Sequence, residues 1–220
     1  MSKPTTPASG RNTPLTPRTE EEVYWCAAQT AFDAKRYNDS IRFFHELIKV
    51  QPRLSKTQKE LLASAYKKVI SSPRDALRIV TEEMSNYLKK QDSEIVNRLD
   101  AIEKSLKSEI SKIANNILEL IDTKLLVVTT DAQSIVFYNK LRGDYYRYLA
   151  EINPTDDTNL SRAKASYESA MKSVNDDMKM ADPVYLRLVL NYCVFQDELL
   201  DMKSEAIDRA DATFNEAVRY

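Results

Sequence analysis

Residues Val136–Ile152 read VFYNKLRGDYYRYLAEI. Phe137, Leu141, Tyr145, Tyr148 and Ile152 recur at spacings of three and four, the pattern of an amphipathic helix. Gly143 interrupts it, and a glycine inside a helix costs up to ~1 kcal/mol relative to alanine. It is one of only two glycines in the chain, so a close packing contact is its expected reason. Lys140 and Arg147 lie seven residues apart, two turns along one stripe. A cation pair on so apolar a face is poorly explained as solvated surface.

Working outward, the flanking sequence is helical on both sides. Glu20–Ala34 carries an apolar stripe, and Arg36-Tyr37-Asn38-Asp39 is a break and restart. A second helix spans Asp39–Val50 and ends at Pro52. Ser55 or Thr57 caps a third, running to about Lys90. Asp92 or Ser93 starts a fourth, whose apolar residues from Ile95 to Leu120 keep a three-four alternation. The fifth covers Asp131–Ile152 and stops at Asn153-Pro154. Asp156 or Asp157 caps a sixth, to about Met180. Asp182-Pro183, a cap followed by proline at the first helical position, opens a seventh, and an eighth covers Ser204–Tyr220. No strand alternation stands out. The expected class is all-α, a bundle of antiparallel helices joined by short loops.

Residues 1–19 differ in kind: four prolines and seven Ser/Thr with almost no apolar content predict a disordered tail. Thr6-Pro7, Thr13-Pro14 and Thr16-Pro17 are candidate sites for proline-directed kinases, against a plain solubilising role. The expected domain is therefore residues 20–220.

Composition excludes several function classes. Lys+Arg 32 against Asp+Glu 33 leave no basic field for nucleic acid, so an anion site must be local. No apolar run is long enough to span a membrane, and MSKPTTPASG lacks a signal-peptide core. Gly10 and Gly143 cannot write a glycine-rich phosphate loop. His45, the single histidine, supports neither a Ser-His-Asp triad nor a helical zinc pair and reads as structural. No enzyme, metal or cofactor is expected. Cys26 and Cys193, far apart and inside helical patterns, are expected to be buried reduced thiols, which fits a cytoplasmic protein.

A phosphorylated side chain carries about −1.5 to −2 charge and three acceptor oxygens, so its receptor needs convergent donors. Arginine bonds phosphate oxygens bidentately and lysine adds a point charge. Lys67 and Arg74 share one face of the third helix, ~10.5 Å apart along the axis. The fifth helix adds Arg147 with Tyr148 beside it, and the seventh places Asn191 and Glu198 two turns apart, with Leu190 and Val194 alongside.

GDYYRYLAE (Gly143–Glu151) closely resembles the central signature of the 14-3-3 family of phosphoserine/phosphothreonine-binding adaptors. LLASAYKKVISSPRDALRIV (Leu61–Val80) is similar to that family's third helix and DPVYLRLVLNYCVFQDELL (Asp182–Leu200) to its seventh, in the family's order. The resemblance covers roughly residues 20–220 and implies a concave amphipathic groove built by about eight of nine helices, the ninth falling beyond Tyr220. It implies that Lys67, Arg74, Arg147 and Tyr148 form the phosphate pocket. It implies too that Lys140 meets the ligand backbone, that Asn191 clamps it, and that Leu190, Val194 and Glu198 belong to the opposite wall. The implied function is a non-catalytic signalling adaptor for phosphorylated proteins. It would work as a homodimer or as a heterodimer with other family members.

Several positions depart from the family pattern. Pro73 stands inside the third helix, where proline costs ~3 kcal/mol, and predicts a kink or break between Lys67 and Arg74. Glu60 replaces a ligand-contacting asparagine, Ser64 an apolar wall residue and Arg187 a glycine. At the family's dimer interface Arg36 and Glu109 match an ion pair, whereas Asp39 meets Ser105 in place of lysine. Ile102 replaces a tyrosine and Ala76 a phosphorylatable serine. These departures raise a competing expectation: a degenerate or phosphate-independent helical scaffold acting mainly through (hetero)dimerisation.

Overall fold

In the computed structural model the chain is described over residues 18–175, 178 and 182–219. The tail's Thr-Pro motifs lie outside them. Within the described residues eight α-helices follow in order: α1 Glu20–Asp33, α2 Tyr37–Val50, α3 Lys56–Lys89, α4 Ser93–Leu120, α5 Ala132–Ile152, α6 Asp157–Lys172, α7 Pro183–Leu200 and α8 Lys203–Val218. There is no strand among the described residues.

Local chemistry sets most of the boundaries. Thr19 and Ser55 open α1 and α3 with reciprocal capping boxes, their side chains accepting from Glu22 and Gln58 backbone amides while those side chains reach back. Asp92, Asp131, Asp156 and Asp182 cap α4 to α7. Lys35, Gln91 and Asp201 take left-handed backbone conformations at three of the reversals. α2 starts two residues earlier than its apolar pattern shows, at Tyr37. α6 stops at Lys172 rather than near Met180, with Ser173 as its C-cap. Leucine-rich residues after α4 do not end the helix outright; the backbone widens to one π-turn over Ile121–Leu125 and tightens to a 3-10 turn over Leu126–Val128.

Of the kink or break expected at Pro73, the break is absent. α3 continues through it from Lys56 to Lys89, with Pro73 buried. Proline forfeits one backbone bond, whereas buried Tyr66 and Ile70 before it and partly buried Leu77 after it hold both halves of α3 on the core. Tertiary packing outweighs a local penalty.

Two apolar layers meet at α5. Phe44, Leu47, Leu62, Tyr66, Ile117 and Tyr145 belong to a core shared by α1 to α5. Val136, Ala163, Tyr167, Leu188 and Phe195 form a second one between α5, α6 and α7. A helix buried on both flanks has only a narrow strip left for polar groups, and α5 places Lys140, Asp144 and Arg147 there. Gly143 faces Tyr167, and a Cβ at that position would stand 2.8 Å from the ring, so the glycine is explained by close packing. His45 Nε2 lies 2.9 Å from the Tyr66 hydroxyl and 3.0 Å from Asn116 Oδ1, a polar tie across α2, α3 and α4. Cys193 is buried and its thiol is pushed above its ordinary pKa by burial, against Arg209. Cys26, expected to be buried, is exposed: the short α1 buries only Ala28 fully.

Candidate functional site

Arg147 is the centre of the site. It rises from α5 and is buried but for 8% of its surface. Its Nη1 donates to Glu151 Oε1 at 2.6 Å, one turn along the same helix. Arg74 reaches over from α3 and donates from Nη2 to Glu151 Oε2, also at 2.6 Å. One carboxylate therefore holds two guanidinium groups from different helices. Tyr148 lies against both, with Arg74 Cζ 3.9 Å and Arg147 Cζ 4.8 Å from its ring centre. Burial disfavours the Arg147 charge, but Tyr167, Glu151, Tyr148 and Asp144 more than offset it and hold the pKa above the ordinary value. Burial, reinforced by Asp144, pushes the Tyr148 hydroxyl up, so it stays a protonated donor. Arg147 Nε is buried with no hydrogen-bond partner. A buried polar group left unpaired costs about 1–3 kcal/mol.

Lys67 joins this cluster through a cleft of about 380 Å³ that it lines with Tyr148, Lys140, Asp144 and Phe137. Among the described residues Lys67 has neither an ion pair nor a side-chain hydrogen bond. The cleft's floor is organised by Asp144, buried on α5. Its Oδ2 accepts from Lys140 Nζ at 2.7 Å, and its Oδ1 from the Tyr167 hydroxyl at 2.7 Å and Asn191 Nδ2 at 2.8 Å. Asp144 thus ties α5, α6 and α7 together and fixes Lys140 and Asn191 in place.

The structure gathers Arg74, Arg147 and Tyr148 around Glu151, and Lys67 and Lys140 share the 380 Å³ cleft with Tyr148 and with Asp144, to which Asn191 is bonded; Arg74 and Glu151 themselves line a separate cavity of about 750 Å³. The α7 wall is looser. Glu198 stands 3.9 Å from Arg147, Val194 is half-buried, and Leu190 is 62% exposed and does not line the cleft. Asn191, expected to clamp a ligand's main chain, gives its Nδ2 to Asp144, while its Oδ1 has no partner among the described residues. Asp144 and Glu151 were missed as site residues. Their signal was present: each carboxylate follows a cation by four residues, the spacing at which helix side chains meet. No His, Cys, Asp or Glu cluster among the described residues could hold a metal ion.

The interface candidates sit apart from the cleft. Arg36 pairs with Asp39 at 2.7 Å within the same chain. Ile102 and Glu109 are exposed on α4, and Ala76 is half-buried on α3.

An all-helical protein with a cation-walled cleft between α3, α5 and α7 is the class that fold and site define. The family model described as 14-3-3 protein matches residues 27–220. The chain is 32% identical over 201 residues to 14-3-3 protein 7 of Solanum lycopersicum, covering 90% of this chain and 79% of the relative. It is 31% identical over 193 residues to 14-3-3 protein beta/alpha of Gallus gallus, covering 87% and 78%. The chain belongs to the 14-3-3 family. That membership carries a non-catalytic adaptor role towards phosphorylated partner proteins, and dimerisation as a general trait. No helix among the described residues is long and apolar enough to cross a membrane.

Proposed function

We propose that this chain binds phosphoserine- and phosphothreonine-containing segments of partner proteins, with the phosphate held by Lys67, Arg74, Arg147 and Tyr148. The observation that carries this reading is the surplus of donors at one spot. Two guanidinium groups share a single carboxylate and lie against Tyr148, and Lys67, unpaired, lines the cleft with the same tyrosine. A dianion with three acceptor oxygens supplies what the cluster lacks. Lys140, Asn191 and Glu198, with Leu190 and Val194, form the surface along which the rest of the segment lies extended. The competing scaffold reading loses one of its supports, since α3 continues through Pro73 and Arg74 still reaches Glu151.

The proposed dimer places α1 of one copy on α3 and α4 of its partner, with Arg36 facing the partner's Glu109, and either a second copy or another family chain can fill that place. Two clefts then capture doubly phosphorylated clients with raised avidity. A cytoplasmic location follows from such clients. Titration of the protein with a phosphopeptide and its unphosphorylated twin is the test. The phosphopeptide should bind at least tenfold tighter, and Arg147→Ala and Lys67→Glu should each remove the difference. Equal binding of the twins excludes the function.

A further inference from the structure

One run of motifs that the proposed function leaves unused stands ahead of α1. Thr6-Pro7, Thr13-Pro14 and Thr16-Pro17 each set a threonine before a proline, the dipeptide that proline-directed kinases modify. Residues 1–19 hold Lys3, Arg11 and Arg18 and no acidic residue. Unmodified, the tail therefore has only positive charge to offer Lys67, Arg74 and Arg147. A phosphate reverses that sign locally and supplies three acceptor oxygens.

Chain length decides which threonine can reach those cations. Arg18 lines a cavity with Val23 and Phe43, so the tail leaves the fold at the start of α1. Lys35, just past the other end of α1, shares a cavity of about 430 Å³ with Lys68 and Ser72 of α3. From there the start of α1 is ~20 Å back along its axis, and Lys67 and Arg74 lie about one helix diameter, ~10 Å, across α3. Thr19 is thus within about 35 Å of them. Thr6, thirteen residues before Thr19, commands up to ~43 Å of extended chain, whereas Thr13 and Thr16 command only ~20 and ~10 Å. Pro7, Pro14 and Pro17 favour the extended form.

We infer that Thr6 is a phosphorylation site and that its phosphothreonine docks on Lys67, Arg74 and Arg147 of the same chain, an internal ligand that competes with partner segments. This rests on the function proposed above. In the modification the Thr6 hydroxyl oxygen bonds the γ-phosphorus of ATP, the bond from that phosphorus to the departing ADP oxygen breaks, and the hydroxyl proton passes to the kinase's base. Tethering sets an effective concentration that short flexible linkers raise to about millimolar. Partner binding weakens by roughly the ratio of that concentration to the tail's own dissociation constant.

The test uses the whole chain, phosphorylated in vitro by a proline-directed kinase. A labelled phosphoserine peptide and its unphosphorylated twin are read by fluorescence anisotropy. Thr13→Ala/Thr16→Ala leaves Thr6 as the one tail threonine before a proline, and Thr6→Ala/Thr13→Ala leaves Thr16. The Thr6 phosphoform should bind the phosphopeptide about tenfold more weakly than the same variant unmodified. Phosphatase should restore the affinity, and the ratio should hold on dilution of the protein. The Thr16 phosphoform should bind as its unmodified variant does. In phosphorus NMR, excess phosphopeptide should move the Thr6 phosphate signal to the position it has in Arg147→Ala. No incorporation at Thr6, unchanged affinity of its phosphoform, or equal weakening by the Thr16 phosphate overturns this inference alone. So does a weakening that fades on dilution, which would place the tail on a second copy. Loss of phosphate discrimination by the unmodified chain overturns the function proposed above, and the inference with it.

Discussion

Gly143 and Asp144 show how a catalytically inert cleft is held in shape by residues that never need to touch a ligand. The Tyr167 ring lies against the glycine, is stacked on Tyr192, and donates its hydroxyl to Asp144. Gly143→Ala would drive a methyl group into that ring and force it off its partners. Overpacking costs typically 1–3 kcal/mol and better helix propensity returns ~1, so a net loss of about 1 kcal/mol is expected in urea unfolding. A Gly143→Ala variant of equal or greater stability would show that the ring moves freely. Asp144→Asn removes the counter-charge from Lys140, whose side chain is only 18% exposed, and leaves one acceptor oxygen for three donors. Breaking such a pair should cost about 2–3 kcal/mol, and an unchanged urea midpoint would contradict the tie across α5, α6 and α7. At this scale the cations Lys67, Arg74 and Arg147 were legible because residue type and seven-residue spacing announce them. The carboxylates were less so, since an acid four residues after a base is also common on plain solvated helices. Cys26 misled for a related reason: a helical pattern says which residues share a face, not whether that face is covered.

Helices were legible in existence and order; Asp182 was legible as the cap of α7, Asp92 and Asp156 were each one of two candidates for α4 and α6, and Asp131 was taken as the first residue of α5 rather than its cap. What the local pattern could not weigh was α3 at Pro73. The proline removes a single bond from a 34-residue helix whose buried side chains lie on both sides of it. Its penalty is therefore stored in the fold rather than relieved by a break. Pro73→Ala restores an amide able to bond the carbonyl of Val69 and removes the ring's clash with that carbonyl. Part of the ~3 kcal/mol gained is offset by lost packing at this buried site and a freer unfolded chain, so stabilisation of about 1 kcal/mol is expected. Phosphopeptide affinity should stay within twofold, because Arg74 already reaches Glu151. Destabilisation, or a large gain in affinity, would mean that the proline bends α3 to the detriment of the cleft. The early end of α6 has a different origin. Its periodicity carries on in the apolar residues after Lys172, but helix ends depend on capping, and the Ser173 amide closes the last turn by donating to three overlapping backbone carbonyls.

At the scale of the whole molecule, two cores meeting at α5 leave large apolar side chains uncovered on other helices. Val23 on α1, Ile79 on α3 and Ile102 on α4 are each about half exposed, on the three helices that the proposed dimer would bring together. Burying the exposed half of such side chains is worth roughly 1 kcal/mol apiece and adds up over both copies, whereas an exposed ion pair gives ~0–1 kcal/mol. Apolar contact must therefore supply the affinity, and charge must supply the alignment. Ile102→Lys should leave a monomer at low micromolar concentration in sedimentation equilibrium, with helical content unchanged. Charge reversal probes the alignment. A two-fold interface repeats each pair, so Arg36→Glu, which sets a second carboxylate against the partner's Glu109, acts twice per dimer. The single reversals Arg36→Glu and Glu109→Arg should each weaken association about 5–30-fold, and the double variant should recover most of it. Two features favour that outcome: Asp39 already holds Arg36 at 2.7 Å and orients it, and Glu109 has no ion-pair partner among the described residues. Additive losses in the double variant would place Arg36 and Glu109 in separate contacts, and an unchanged mass for Ile102→Lys would move the association to another face of the molecule.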